Sequence, residues 1–417
     1  MNRTIAGVAV ALTLAVGLVV GVAAGSMLTS GGATPSPVTA FGSPHAGGGT
    51  PTASLSPALT PTPEPTVGPS ETPLPSYPPL PTPEPTPIRV PDPLTGRMVT
   101  PAVAKRHVVA VMIDDQFAAR PQSGLSSASV VWQAPAEGGI PRYMALFSEG
   151  NPKAVGPIRS SRYYFIAWAS EWKSVYVHVG GSPQALALLH SPAGKGRVVF
   201  DADGFRYEGS YLWRIHTRLA PHNVYTDGAH LRSLASKVGA KPVKYKSPWQ
   251  FAPDAEFAKR PKGGTLLVPY LENKITYSYD RKSNRYLRSV SVEGKQKDAA
   301  SKVRIGPKNV VVMVVSFAPL NDGTHKHRLE AQFTGKGTAW IATNGKTQKG
   351  TWRKASLTAP TKFYGKDGTP VTLTVGQTFI QVVPVGTRIT IKDGKVPPRP
   401  PRPAVDGRLD PRGALPE

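Results

Sequence analysis

The chain has 417 residues, of which 50 are lysine or arginine, 26 are aspartate or glutamate, 45 are proline and none is cysteine. The absence of cysteine excludes a disulfide scaffold, a thiolate metal site, a thiol nucleophile and a lipid attached through cysteine. Residues 1–88 carry a net charge of −2 within a chain of formal charge +24, so residues 89–417 carry +26 and predict a polyanionic partner.

The first predicted element is an uncharged apolar segment from Ile5 to Leu28. As a helix it would rise about 36 Å and cross a hydrocarbon core of roughly 30 Å. A cleaved signal peptide is the alternative, but signal cores run about 7–15 residues, so we interpret the segment as a retained anchor. Arg3 precedes it and no basic residue follows until Arg89, which predicts residues 1–4 in the cytoplasm and the bulk of the chain outside the cell membrane.

Two segments have the composition of disordered chain. Residues 29–92 are rich in proline, threonine and serine, and 17 of the 45 prolines lie between Pro35 and Pro87. Such a segment cannot bury enough apolar surface to offset its ordering entropy, and its proline content predicts a semi-rigid spacer. Residues 396–417 predict a second disordered tail, rich in proline and arginine.

Residues 93–255 alternate between strand-like and helix-like segments, which predicts an α/β domain. The predicted strands are Val108–Ile113, Val130–Gln133, Tyr143–Phe147 and Val175–Val179. The predicted helices are Tyr163–Trp172, Pro183–His190 and one that Thr226 and Asp227 cap and that runs to about Val238.

Residues 263–395 read instead as short strands separated by turn signals such as Asn344-Gly345 and Asp367-Gly368. The fold class predicted for the chain is therefore an α/β N-terminal domain followed by a mostly-β C-terminal domain. The boundary falls in the lysine- and proline-rich stretch 253–264. Three tryptophans lie in or near this region: Trp249, Trp340 and Trp352. We expect them to be core residues, and the alternative is that they form a platform on which sugars stack.

Carboxylates at two places are candidates for catalysis. Asp114 and Asp115 follow a predicted buried strand, where α/β folds place ligands, and either could act as a base or bind a cation. Glu137 precedes Gly138-Gly139, whose backbone can approach a ligand closely, and is the best general-acid candidate. The alternative interpretation is that these side chains cap turns and pair with neighbouring arginines.

A basic segment predicts an anion site. Arg159, Ser160 and Arg162 stand at a predicted helix start, and Arg142 follows the Gly-Gly pair. Guanidinium groups and helix amides suit a phosphate or carboxylate. The same arginines could instead neutralise the candidate carboxylates within the fold.

Four further polar residues are ligand-binding candidates: His178, Ser182, His222 and Asn223. Each also has a structural interpretation, because Ser182 precedes a helix and His178 lies in an apolar strand. His325 and His327 follow an Asn-Asp-Gly turn without further ligands, so we predict no metal. The chain has no Walker loop, G-x-G-x-x-G or H-E-x-x-H motif, and we predict no cofactor.

Several long strings resemble a known family over about residues 93–385. They are VVAVMIDDQFAARPQSGLSSASVVWQAPAEGGIPRYMALFSEGNPKAVGPIRSSRYYF, VYVHVGGSPQAL, APHNVYTD, YDRKSNRYLRS, NVVVMVV, GKGTAWIATNGKTQKGTWRK and LTVGQTFIQVVP. They are similar to the YerB-like bacterial proteins, a two-domain family catalogued as a domain of unknown function. The resemblance implies the fold and a location at the cell surface, and it implies no activity.

The chain departs from this family at informative positions. Family members are often lipoproteins tethered through cysteine, which this chain lacks, so the Ile5–Leu28 helix would take over the anchoring. Three short strings differ from their usual form. MIDN ends here in Asp115, VYE ends in Gln133, and GGITR ends in Pro141-Arg142. Gln133 replaces a carboxylate. A mechanism with two carboxylates therefore requires Asp114 or Asp115 as the second one.

Three functions remain open. The first is a membrane-anchored extracytoplasmic protein that binds an anionic cell-wall polymer or an envelope protein. The second is a cell-wall glycan-cleaving enzyme that uses Glu137 with Asp114 or Asp115. The third is surface nucleic-acid binding, which the charge alone supports. An extracytoplasmic location favours the first.

Overall fold

The computed structural model of the chain describes residues 87–271 and 273–398. The predicted anchor, the predicted linker as far as residue 86 and the predicted tail from residue 399 lie outside this part. Within the described residues, no helix is both long enough and apolar enough to cross a bilayer.

The N-terminal region mixes strands and helices, as predicted. Its strands are β1 (Val90–Pro91), β2 (Met98–Val99), β3 (Val109–Asp114), β4 (Val130–Pro135), β5 (Pro141–Phe147), β6 (Val175–His178), β7 (Phe200–Asp203), β8 (Trp213–Arg214) and β9 (Val224–Tyr225). Its helices are α1 (Pro101–Ala104), α2 (Tyr163–Ala169), α3 (Pro183–His190), α4 (Gly204–Tyr207) and α5 (Gly228–Lys237). Single 3₁₀ turns occur at Phe117–Ala119, Leu125–Ser127, Glu137–Gly139 and Ser170–Trp172.

The remainder is rich in strands. They are β10 (Gln250–Ala252), β11 (Lys262–Pro269), β12 (Lys274–Asp280), β13 (Arg285–Val290), β14 (Gly294–Lys295), β15 (Asn309–Val315), β16 (Phe317–Pro319), β17 (Leu329–Ala331), β18 (Gly335–Thr343), β19 (Lys346–Lys354), β20 (Lys362–Gly365), β21 (Thr372–Thr374), β22 (Thr378–Pro384) and β23 (Thr390–Lys395). A 3₁₀ turn spans Phe257–Lys259.

Local sequence explains where the longer elements begin. Helix α3 starts after Ser182, whose hydroxyl accepts a hydrogen bond from the amide of Ala185, and Pro183 occupies its first turn. Helix α5 starts after Asp227, whose carboxylate accepts from the amide of His230. Strand β3 is buried along its whole length, as expected for an apolar run inside a sheet with both faces covered.

One ten-stranded sheet joins the two regions that the sequence predicts as consecutive domains. Its order is β20-β19-β18-β15-β22-β4-β5-β3-β6-β7. Strand β22 lies between β15 and β4 and is parallel to both, with Phe379 opposite Val131. The region at 93–255 and the region at 263–395 therefore form one continuous body. The apolar strand β22, buried on both faces, makes this junction.

Each face of the large sheet is covered by a different layer. Helices α2 and α3 pack on one face, where the rings of Trp132 and Trp168 stack at 4.7 Å. A five-stranded sheet, β14-β13-β12-β11-β23, and helix α5 contribute to the core on the other face. Strand β12 alternates as a half-exposed strand should, with Ile275, Tyr277 and Tyr279 turned into this core.

Order also begins earlier in the chain than predicted. Strand β1 lies inside the predicted linker and pairs with β2, and the buried Asp92 accepts hydrogen bonds from the amides of Leu94 and Thr95. This aspartate turn provides the local hydrogen bonds that a proline-rich segment lacks. Residues 90–92 therefore belong to the folded region.

Candidate functional site

A cleft of about 410 Å³ lies where the end of β3 meets residues from both regions. It is lined by Asp114, Gln116, Glu137, Ile140, Arg142, Arg159, Ser160, Arg162, Gly181, Lys326 and Arg328. The N-terminal region supplies most of these residues. The connection between β16 and β17 supplies Lys326, and Arg328 immediately precedes β17.

Strand pairing positions the first side chains of the cleft. Asp114 and Arg142 are register partners at the ends of the antiparallel strands β3 and β5. The loop before α2 lies against the same end, because the amide of Asp114 donates to the carbonyl of Pro157 at 2.9 Å. The amide of Arg159 donates in turn to the carbonyl of Met112 at 3.0 Å. These bonds bring the GPIRSSR segment to the end of β3.

Glu137 sits between guanidinium groups. Its Oε2 accepts from Nη2 of Arg142 at 2.8 Å, and its Oε1 contacts Nη2 of Arg162 and lies 3.7 Å from Nε of Arg328. Gly138 and Gly139 have φ of 59° and 77°, a backbone region that glycine adopts without strain. The two glycines thus let the chain turn so that the carboxylate faces the arginines.

Asp114 is held in a second, neighbouring set of contacts. Its Oδ2 lies 2.7 Å from Nδ1 of His222 and 2.9 Å from Nε of Arg159, and its Oδ1 accepts from the amide of Gln116 at 3.1 Å. The Arg159 contact is close but not aligned as a hydrogen bond, since Nε of Arg159 has no hydrogen-bond partner in the structure.

Positive charge exceeds negative charge in the cleft. Four arginines and Lys326 line it, against the two carboxylates of Asp114 and Glu137. Burial lowers the pKa of Arg142 and Arg159 and lowers that of Arg162 to about 10, which is still well above neutral pH. Nε of Arg159 lies 2.9 Å from Asp114, Nε of Arg328 lies 3.7 Å from Glu137, and Nε of Arg162 is buried without a hydrogen-bond partner. This arrangement suits an anionic oxygen ligand.

Asp115 lies apart from the cleft. It is fully buried and contacts Arg120 at 2.7 Å, Gln122 at 3.2 Å and Gln133 at 2.5 Å. Burial raises its pKa to about 6, against the opposing charges of Arg120 and Arg288. Because successive residues of an extended chain point to opposite sides, Asp114 faces the cleft and Asp115 faces the interior.

The other predicted ligand-binding residues take different places. His178 is fully buried, and its two ring nitrogens lie 2.8 Å from the carbonyl of Gly180 and from Asp201. Ser182 caps α3, and the side chain of Asn223 accepts a hydrogen bond from an arginine outside the cleft. Ser160 lines the cleft and its carbonyl accepts from Arg142 at 3.0 Å.

Sequence reasoning missed the contribution of the C-terminal region to the cleft. Lys326 and Arg328 stand in the basic run HKHR, which we considered only for a metal. Arg328 pairs with Asp322 and lies beside Glu137, which ties this hairpin to the N-terminal region. In the described part of the chain, no three His, Asp or Glu side chains are grouped so as to hold a metal.

Comparison with known proteins gives consistent results for both regions. Residues 94–241 match the N-terminal domain of a family described as "Protein of unknown function (DUF3048)", and residues 266–380 match its C-terminal domain. "Putative lipoprotein YerB" of Bacillus subtilis (strain 168) is 31% identical over 309 residues, which are 73% of this chain and 89% of that protein. The crystal structure of YerB from Bacillus subtilis superposes with a TM-score of 0.65 at 28% identity, over 73% of this chain and 100% of that chain.

Proposed function

The chain belongs to the two-domain DUF3048 family of unknown function, and on that premise we propose that it is an envelope protein whose cleft binds anionic groups of a cell-wall polymer. The lipoprotein name of the Bacillus subtilis relative supports a membrane-anchored protein of the cell envelope. Because this chain has no cysteine, the segment Ile5–Leu28 would be its anchor and residues 29–86 its spacer.

One observation carries this proposal: the cleft holds five cations against two carboxylates. An incoming phosphate or carboxylate group would balance the excess positive charge of these side chains. The charge-assisted hydrogen bonds that it would accept are the strong ones in protein recognition. A polymer that displays phosphates or carboxylates therefore matches the cleft.

The glycan-cleaving alternative is less consistent with the contacts of Glu137. A general acid has to present a proton to the leaving oxygen of the substrate. Both carboxylate oxygens of Glu137 instead face guanidinium N–H groups, which orients them as acceptors. The contacts of Glu137 suit an internal anion that occupies part of the cationic cleft.

Replacing Lys326 by glutamate tests the cleft directly. Lys326 is exposed, lines the cleft and forms no ion pair with another described residue, so the change should not disturb folding. We expect binding of the full-length chain to isolated cell walls to weaken roughly fivefold to tenfold, because one attraction becomes a repulsion. Co-sedimentation with walls at several salt concentrations measures this.

Lys244→Glu is the matched control, because Lys244 is exposed and its neighbour Tyr245 accepts a hydrogen bond from the amide of Val108, at the opposite end of β3 from Asp114. It makes the same change in net charge and should leave wall binding within about twofold of the unmodified chain. Equal weakening by the two variants would contradict a cleft site and indicate a response to net charge. Walls stripped of their phosphodiester polymers should bind the unmodified chain less well.

Replacing Glu137 by glutamine separates the binding function from the enzymatic one. The change keeps the shape of the side chain and removes the internal anion, so we expect wall binding to tighten by roughly threefold to tenfold. We expect no soluble glycan to be released from peptidoglycan by either protein. Chromatography of the supernatant and co-sedimentation measure the two quantities. Glycan release by the unmodified chain that Glu137→Gln abolishes would support the enzyme instead.

A further inference from the structure

Three strands at one edge of the ten-stranded sheet, β18, β19 and β20, present a basic face on the side opposite the buried Trp352 and Phe363. At one end of this face, Trp340 packs against the core. The register of the three strands places Trp340 opposite Lys349 and aligns Thr338, Thr351 and Tyr364 in one row. Side chains directly opposite each other in antiparallel strands lie on the same side of the sheet. The next row on this side consists of Lys336, Arg353 and Lys362.

The two faces of β19 differ in charge pairing. On the inner face, Trp352 is buried and Lys354 pairs with Glu171. On the outer face, Lys349 and Arg353 are exposed, and neither forms an ion pair with a described residue. The same holds for Lys336, Lys362 and Lys366. Strands β18, β19 and β20 contain no aspartate or glutamate. We call Lys336, Lys349, Arg353, Lys362 and Lys366 together the basic sheet face.

This face is concave as well as charged. A depression of about 310 Å³ is lined by Thr338, Lys349, Thr351, Arg353, Lys366 and three glycines. Its side chains offer cations and hydroxyl groups, and no carboxylate lines it. Like charges on neighbouring strands repel one another, and an anionic ligand would relieve that repulsion.

Two of the five cations of this face lie over aromatic rings. Nζ of Lys349 lies 5.5 Å from the ring centre of Trp340, and the guanidinium of Arg353 lies 4.3 Å from that of Tyr364. Such cation–π contacts fix the direction of long side chains. They also cover the ring faces on which nucleobases would have to stack. The contacts therefore favour an anionic polymer without bases over a single-stranded nucleic acid.

The spacing of the cations favours a polymer over a small anion. Lys349 and Arg353 are four residues apart on β19, about 13 Å at the rise of an antiparallel strand. Lys336, Arg353 and Lys362 stand on adjacent strands, about 5 Å apart. A single phosphate reaches one end of this surface, whereas a chain with repeating charges reaches both ends.

We propose that the basic sheet face is a second binding site, which takes a linear polymer with repeating phosphate or carboxylate groups. It shares no residue with the cleft, so it stands whether or not the cleft binds an anion. With both sites occupied, the chain would hold one polymer at two points or two polymers at once. Two linked contacts raise the apparent affinity without any new interface.

The double variant Lys349→Glu, Arg353→Glu tests this proposal in the full-length chain. The probes are long-chain inorganic polyphosphate, poly-glutamate, orthophosphate and an oligothymidylate of matched length. We expect the variant to bind polyphosphate at least tenfold more weakly, with a salt dependence of log K reduced by about two units of slope. Orthophosphate should bind this face weakly in both proteins. Comparison of polyphosphate with poly-glutamate distinguishes phosphate from carboxylate recognition.

A matched control variant keeps the result specific. Lys241→Glu, Lys244→Glu makes the same charge change on exposed residues of the N-terminal region, outside both the cleft and the basic sheet face. It should retain the salt slope that the sheet-face variant loses. An equal loss in the Lys241 and Lys244 variant would overturn the proposal. So would oligothymidylate binding as tight as that of polyphosphate, which would identify a nucleic-acid surface.

Discussion

Replacing Lys354 by methionine is expected to lower the free energy of unfolding by about 3–5 kcal/mol. Lys354 on β19 and Glu171 after α2 form an ion pair at 2.9 Å, and both side chains are fully buried. Thr361 donates a further hydrogen bond to Glu171 at 2.6 Å. Removal of the lysine leaves a carboxylate in the core with one hydroxyl partner. Urea unfolding followed by tryptophan fluorescence measures the loss.

The stability of the Lys354→Met variant should depend on pH in a direction that the structure determines. Burial already raises the pKa of Glu171, and the charge of Lys354 opposes that shift. Without Lys354, the folded protein holds a proton on Glu171 that the unfolded chain releases. A carboxyl group whose pKa is raised by folding contributes most stability at low pH and loses it as pH rises. The Lys354→Met variant should therefore be closest to the unmodified chain at low pH.

Two further variants isolate the buried pair. The double variant Glu171→Gln, Lys354→Met removes both charges and should recover most of the lost stability, because a neutral polar group costs less to bury than a lone carboxylate. Lys349→Met changes a lysine on the exposed face of the same strand and should stay within about 0.5 kcal/mol. Equal destabilisation by Lys349→Met and Lys354→Met would contradict the role of the buried charge.

Local patterns in the sequence predict the interior of this fold well. Helix α3 has the predicted bounds Pro183–His190, because Ser182 and Pro183 mark its start and its apolar residues recur at helical spacing. Strand β3 differs from the predicted segment by one residue at each end. Strand β7 was missed, because Phe200–Asp203 contains two acids and lacks a clear apolar pattern.

The long-range arrangement could not be derived from the same patterns. Strand β22 inserts between β15 and β4, and its residue Phe379 lies 248 positions after its partner Val131 in sequence. Pairing of this kind depends on which apolar strands fit together in three dimensions, and local periodicity carries no information on it. For the same reason, the contribution of Lys326 and Arg328 to the cleft was not foreseen.

For the candidate site, the sequence predicts which residues of the N-terminal region come together, but the roles of these residues stay untested. Asp114, Glu137, Arg142, Arg159 and Arg162 lie around one cleft, and their grouping follows from strand ends and loops that the sequence marks. Their roles as ligand-binding or catalytic residues stay predictions. The different surroundings of Asp114 and Asp115 follow from the alternation of an extended chain, a signal that was present in the sequence.

Asp115 belongs to a buried polar network that joins the two regions of the chain. Gln133 donates to Oδ2 of Asp115 at 2.5 Å and accepts from Nη2 of Arg288 on β13 at 2.7 Å. Arg288 is itself fully buried and also donates to the hydroxyl of Tyr277. An amide can donate to a carboxylate and accept from a guanidinium at once, which a carboxylate cannot do. Glutamine at position 133 therefore fits beside a buried aspartate, where a second acid would add a like charge.

Replacing Asp115 by asparagine should remove a pH dependence of stability that the unmodified chain shows. Burial raises the pKa of Asp115 from 3.8 to about 6, so between these values the folded chain holds a proton that the unfolded chain releases. The unfolding free energy should thus fall by about 2 kcal/mol as pH rises from 4 to 6, relative to the variant. Urea unfolding at pH 4, 5, 6 and 7 measures this difference, and groups common to both proteins cancel. If the unmodified chain instead gains stability over Asp115→Asn as pH rises, then Arg120 and Arg288 hold Asp115 ionised despite its burial.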